Sequence, residues 1–253
     1  IIKSGEMKIS IIISVYNFNE CNYSKLLASV IEKEIIKNGL EAEIVFMPSL
    51  NERFRNFNDN NYVLPNYKKQ IANFLELTLF EKAFDGVVFI PSGFNSVLGS
   101  LISSIRLNLP TLVLPQGLTP VTENSNLNDV LYLPGEVANN TKSVFDMENV
   151  KNSFNEYLGS GSNFTTENIF NVILEIMELS VKNSATTLAA SYEKEEQAIL
   201  TAQTIVSLTK NRLPLNRMIN KKSIHNAFML NLCLGGSPII IDALMQLSRE
   251  AEL

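Results

Sequence analysis

The chain has 253 residues, 45% hydrophobic and 19% charged, which is the composition of a folded protein with a sizeable core rather than of a disordered one. A net charge of −5, a pI near 5.1 and basic stretches no denser than Lys68-Lys69 and Lys221-Lys222 argue against a nucleic-acid partner or an anionic membrane surface. Two cysteines, Cys21 and Cys233, make no disulfide framework, and no run approaches the roughly 18 apolar residues of a membrane span, so a cytoplasmic protein is expected.

The first half alternates between two periodicities. Lys8–Val15 (KISIIISV) is a β-branched run, as expected for a strand covered on both faces. Tyr23–Asn38 carries Leu26, Leu27, Val30, Ile31 and Ile35 at helical spacing, and Gly39 stands as its C-cap. Ala42–Met47 reads as a second strand and the Asn-rich Asn51–Asn61 as a loop. Pro65 opens a helix with Ile71, Phe74, Leu75 and Leu79 on one face. Gly86–Ile90 is a third strand, Ser96–Leu107 a helix and Thr111–Leu114 a fourth strand. Strand and helix in strict alternation predict an α/β fold with a doubly wound parallel sheet flanked by helices.

The second half is helix-rich. Val121–Asn140 reads as loop around one apolar run, Val130–Leu133. Helices are predicted over Met147–Tyr157, Thr166–Val181, Ala185–Leu208, Lys222–Leu232 and from Ile239 onward. No repeat, low-complexity tract or linker is evident, so residues 1–253 are read as one domain.

In an open parallel sheet, ligands bind beyond the carboxyl ends of the strands. Three loops deserve weighing. Pro91-Ser92-Gly93-Phe94-Asn95-Ser96 leads from the third strand into a helix, whose free backbone N–H groups can hold an anion. Gly159-Ser160-Gly161-Ser162-Asn163 opens another helix but lacks both a preceding strand and a P-loop lysine. Gly235-Gly236-Ser237-Pro238 separates two apolar helices. Taken singly, each is favoured as a plain turn. Acid–base capacity is sparse. The single histidine, His225, is expected to be a packed or surface residue, Cys233 a core residue, and Cys21 a loop residue after the first strand.

The same loops, in this order, carry a resemblance. Tyr62-Val63-Leu64-Pro65 with Ile71-Ala72, Phe84-Asp85-Gly86-Val87-Val88, Gly99, and Arg106-Leu107-Asn108-Leu109-Pro110 are similar to motifs of the dihydroxy-acid/6-phosphogluconate dehydratase family. So are Thr166 with Asn168, Asn226-Ala227, and Leu234-Gly235-Gly236-Ser237. The resemblance implies the family's N-terminal domain. It also implies a dehydratase that eliminates water from a 2,3-dihydroxy acid, using an iron–sulfur cluster on three cysteines and Mg²⁺ on carboxylates and a carbamylated lysine.

Against that pattern, Cys21 falls on the first cluster cysteine. Gly93 and Gly161 fall on the other two, Phe94 and Asn95 on the metal aspartate and the lysine, and Asn51 on an earlier metal aspartate. Soft thiolates hold iron–sulfur centres and hard oxygen donors hold Mg²⁺, so no cofactor is expected here. The resemblance also implies that the family's C-terminal domain, which supplies a metal glutamate and a base serine, lies outside these residues. The expected role is a degenerate dehydratase homologue acting as a binding or partner subunit, as a homo-oligomer or with another chain. Its candidate pocket comprises Cys21, Asn51, Ser92, Gly93, Phe94, Asn95, Ser96, Gly161, Ser162, Asn163 and Ser237, suited to a small carboxylate or phosphate. Two alternatives stay open: an active dehydratase completed by another chain, and a flavodoxin-like module for a small anion or nucleotide.

Overall fold

Four short apolar segments that alternate with helices assemble, in a computed structural model, into one parallel sheet. Residues 7–15, 18–49, 67–120, 127–143, 145–146, 158–161 and 165–253 are described. In chain order the elements are β1 (Lys8–Val15), α1 (Phe18–Lys37), β2 (Glu41–Pro48), α2 (Tyr67–Glu81), β3 (Gly86–Ile90), α3 (Phe94–Leu107) and β4 (Thr111–Val113). Then follow α4 (Leu127–Ala138), α5 (Thr166–Ile176), α6 (Tyr192–Lys210), a 3₁₀ turn at Leu215–Arg217, α7 (Lys221–Cys233) and α8 (Pro238–Glu250). Among the described residues no helix is long and apolar enough to cross a membrane.

The strand order is β2-β1-β3-β4, all parallel. Side chains alternate across the pleat, so each strand feeds two cores. Ile9, Ile11, Ile13, Val88, Ile90, Leu112 and Leu114 face a layer built by α1 and α6. Ile12, Val87, Phe89 and Val113 face the larger layer, formed by α2, α3, α5, α7 and α8. Both faces of β1 and β3 are covered, which is why these two strands read as near-continuous apolar runs, while the edge strand β2 is only partly buried. On the larger face α2 and α3 touch at Gly99, where an added Cβ would lie 2.7 Å from Ile71 Cγ2 and from the Lys68 carbonyl oxygen.

The predicted α/β architecture is found, with differences in the second half. Val121–Asn140, read as loop, contains α4. Pro134-Gly135 looks like a turn signal, yet the helix runs through it and buries Leu133. The helix predicted from Ala185 begins instead at Tyr192, where the Ser191 hydroxyl accepts the Lys194 N–H. Before it, Glu178, Asn183 and Ala190 take positive φ, which turns the chain rather than coiling it. Cys21 belongs to the first turn of α1, not to a loop. Cys233, expected in the core, is exposed because it ends α7 on the solvent side. The predicted helix at Met147–Tyr157 and the loop at Asn51–Asn61 lie outside the described residues.

Candidate functional site

The chain passes from β1 to β2 on one side and then crosses back to β3 on the other, so the sheet's switch point lies between the carboxyl ends of β1 and β3. Such a point is where open α/β sheets bind ligands. α1 begins beside it with Cys21, and the β3–α3 turn supplies Ser92 and Gly93.

Backbone and side-chain hydrogen bonds gather other segments to the same end. The Tyr23 hydroxyl of α1 donates to the Gln116 carbonyl at 3.3 Å and accepts the Ala190 N–H at 2.8 Å. Gln116 Nε2 donates to Ser24 Oγ at 3.1 Å. The next residue, Gly117, accepts the Ser160 N–H at 2.8 Å and the Ser160 hydroxyl at 3.1 Å. Gly161 donates its N–H to Thr119 Oγ1 at 2.9 Å, and its carbonyl accepts from the Thr119 N–H at 3.1 Å. That carbonyl also accepts from Asn168 Nδ2 at 3.2 Å, and Ser160 donates to Asn168 Oδ1 at 2.5 Å. One residue earlier on α5, the Glu167 carboxylate accepts the Gly93 N–H at 3.1 Å. The first turn of α5 thus holds the Gly93 turn with one residue and the Gly161 segment with the next.

This chemistry is mostly neutral. The charged member is Glu167, placed at the positive end of α3, where a carboxylate is favoured and where Gly93, the N-cap, brings no side chain of its own. Burial pushes the Tyr23 phenol up, partly offset by the Ala190 N–H, so it stays protonated and can donate to Gln116. Behind the junction, Leu118 and Leu188 form a parallel bridge, in which Leu118 donates to the Thr187 carbonyl and accepts the Ala189 N–H. Lys194 is fully buried and donates to the Ser184 carbonyl at 2.6 Å. Burial lowers the Lys194 amine to about 7, against a smaller raising effect of Glu175.

Of the predicted pocket residues, Gly93 and Gly161 are brought to one junction, and Cys21 lies two residues before its Tyr23 anchor. The Ser92 carbonyl and Ser96 hydroxyl meet Ser49 Oγ at 3.1 and 3.3 Å. Phe94 is 8% exposed and packs edge-to-face on Phe170, their ring centroids 5.0 Å apart. Asn95 is half-buried in the first turn of α3. Ser237 uses its hydroxyl locally, accepting the Ile239 N–H at the start of α8. Asn51, Ser162 and Asn163 lie outside the described residues. The sequence reading missed Ser49, Gln116, Thr119 and Glu167, and it named Ser160 in a candidate loop without placing it in the pocket. A usable signal existed for Glu167, an acidic residue in the first turn of a helix, and for Gln116, just past the carboxyl end of a strand.

Among the described residues no group of three or more His, Cys, Asp or Glu side chains is placed to hold a metal ion. The chain's two thiols are Cys21, buried in the first turn of α1, and Cys233, exposed at the end of α7.

The sequence matches the family described as "Dihydroxy-acid/6-phosphogluconate dehydratase N-terminal" over residues 7–253. Curated relatives include a dihydroxy-acid dehydratase of Dehalococcoides mccartyi, 29% identical over 198 residues, covering 75% of this chain and 36% of the relative. That of a Nitratiruptor species is 27% identical over 200 residues, covering 75% and 35%. That of Campylobacter jejuni subsp. jejuni is 27% identical over 196 residues, covering 75% and 35% as well. The chain therefore spans about a third of the length of the curated relatives it matches.

Proposed function

The chain belongs to the dihydroxy-acid/6-phosphogluconate dehydratase family through its N-terminal domain, and on that premise we propose that it is a degenerate member without dehydratase activity of its own, serving in the cytoplasm as a binding or partner subunit. The observation that carries this reading is the chemistry at the three loop positions. The resemblance puts cluster cysteines at Cys21, Gly93 and Gly161, and only the first has a sulfur atom. One thiolate cannot hold an iron–sulfur cluster. A phenyl ring at Phe94 and an amide at Asn95 are likewise poor donors for Mg²⁺, which demands hard, charged oxygen ligands. The residues present fit neither group.

What these residues can do is join. The anion expected at the start of α3 is supplied by the protein itself, since the Glu167 carboxylate accepts the Gly93 N–H there. A partner chain or second copy is favoured by large apolar side chains left exposed along α7 and α8, including Phe228, Met229, Leu232, Ile239 and Met245.

Metal and sulfide analysis, with a visible spectrum, on anaerobically purified protein tests the proposal. Neither iron nor sulfide is expected. Stoichiometric amounts of both would overturn it and favour an active dehydratase whose remaining ligands come from elsewhere.

A further inference from the structure

The misfit with an iron–sulfur centre extends beyond the missing thiols to the backbone that would carry them. Gly93 has φ 85° and ψ 149°, and Gly161 has φ 99°. Glycine reaches both freely, whereas a residue with a Cβ rarely adopts either. At Gly161 crowding is not the obstacle, since an added Cβ would meet only Asn168 Nδ2 at 3.9 Å. The obstacle is the conformation itself.

The polar groups of both residues are also committed. The Gly93 N–H is taken by the Glu167 carboxylate, and the Gly161 N–H and carbonyl by Thr119 and Asn168. Glu167 thus puts a carboxylate at the point where the loops meet. Beside it Phe94 lies packed against Phe170 rather than open to a ligand.

We infer that this junction is a glycine-locked structural closure tied by Glu167, rather than a cluster site that lacks only its cysteines. The inference rests on the reading of the chain as a family member without a cluster, and deepens it: restoring thiols at positions 93 and 161 does not restore the centre. Glu167 is a positioning residue in this scheme, since it holds the β3–α3 turn and touches no reacting group.

Two sets of variants in the full chain test it. Gly93→Ala and Gly161→Ala each lower the melting temperature by at least about 3 °C. Gly135→Ala, in α4 with open space around it and no positive φ, leaves the melting temperature unchanged or raises it. Loss-free alanine variants at 93 and 161 would overturn the lock. The triple variant Gly93→Cys/Gly161→Cys/Glu167→Ala is then incubated anaerobically with ferrous iron and sulfide. No stoichiometric cluster is expected; a brown, natively folded product with bound iron and sulfide would overturn the inference. If that variant does not fold, the lock is upheld only where the alanine variants lose stability as stated. Iron in the wild-type protein would sink the parent reading instead, so the two failures are distinct.

Discussion

Replacing Lys194 by methionine is the sharpest probe of the architecture behind the junction. Lys194 is fully buried on α6, and among the described residues its ammonium form has one hydrogen-bond acceptor, the Ser184 carbonyl at 2.6 Å. Burial brings its pKa from 10.5 to about 7. At about 1.4 kcal/mol per pH unit, burying the charged form costs the folded state about 5 kcal/mol below pH 7. The sign follows from proton counting. Between pH 7 and 10.5 the unfolded chain keeps the lysine proton and the folded chain sheds it, so stability rises with pH across that window. From pH 7 to pH 9 the rise is about 2 kcal/mol. Lys194→Met removes the titration and forfeits one hydrogen bond, worth about 1–3 kcal/mol when charged. The variant is therefore expected to be more stable than the wild type at pH 7 by about 2 kcal/mol, with the advantage gone or reversed at pH 9. Urea unfolding of both proteins at the two pH values measures this. Parallel pH dependences in the two proteins would refute the reasoning, because every other titrating group is common to both.

Two substitutions test packing elsewhere. Gly99→Ala puts a methyl group 2.7 Å from Ile71 Cγ2 and from the Lys68 carbonyl. Although alanine suits a helix better than glycine by about 1 kcal/mol, a net loss of about 1–3 kcal/mol is expected in denaturant melts. Gly236→Ala meets Asn231 Oδ1 at 1.9 Å, and Asn231 is fully buried with neither amide atom hydrogen-bonded. Pairing it with Asn231→Ala should recover about 0.5–3 kcal/mol of the loss in a double-mutant cycle, and additive effects would contradict the contact.

The sheet was legible from the sequence because the inner strands β1 and β3 are covered on both faces, so they appear as near-continuous apolar runs. Helix starts were less so. Ala185–Ala190 has the composition of a helix, yet the Ala189 N–H pairs with Leu118, a tertiary contact that propensity cannot anticipate. α4 was hidden by Pro134-Gly135. At the site, Gly93 and Gly161 were singled out by their place in the resemblance, and the structure joins them. The groups that join them were legible only as isolated local signals. Glu167, Thr119 and Gln116 act on residues distant in sequence, and their own neighbourhoods read as ordinary first turns and strand ends.

The hydrogen bonds of the junction span long stretches of chain: 43 residues from Ser160 to Gly117, 74 from Glu167 to Gly93 and 167 from Ala190 to Tyr23. Closing loops of that length costs entropy before any contact is made, and the cost grows with length. The β1–β3 ladder itself joins residues as distant as Ile9 and Gly86, and together with the two cores it shortens the effective loops that the junction's bonds have to close.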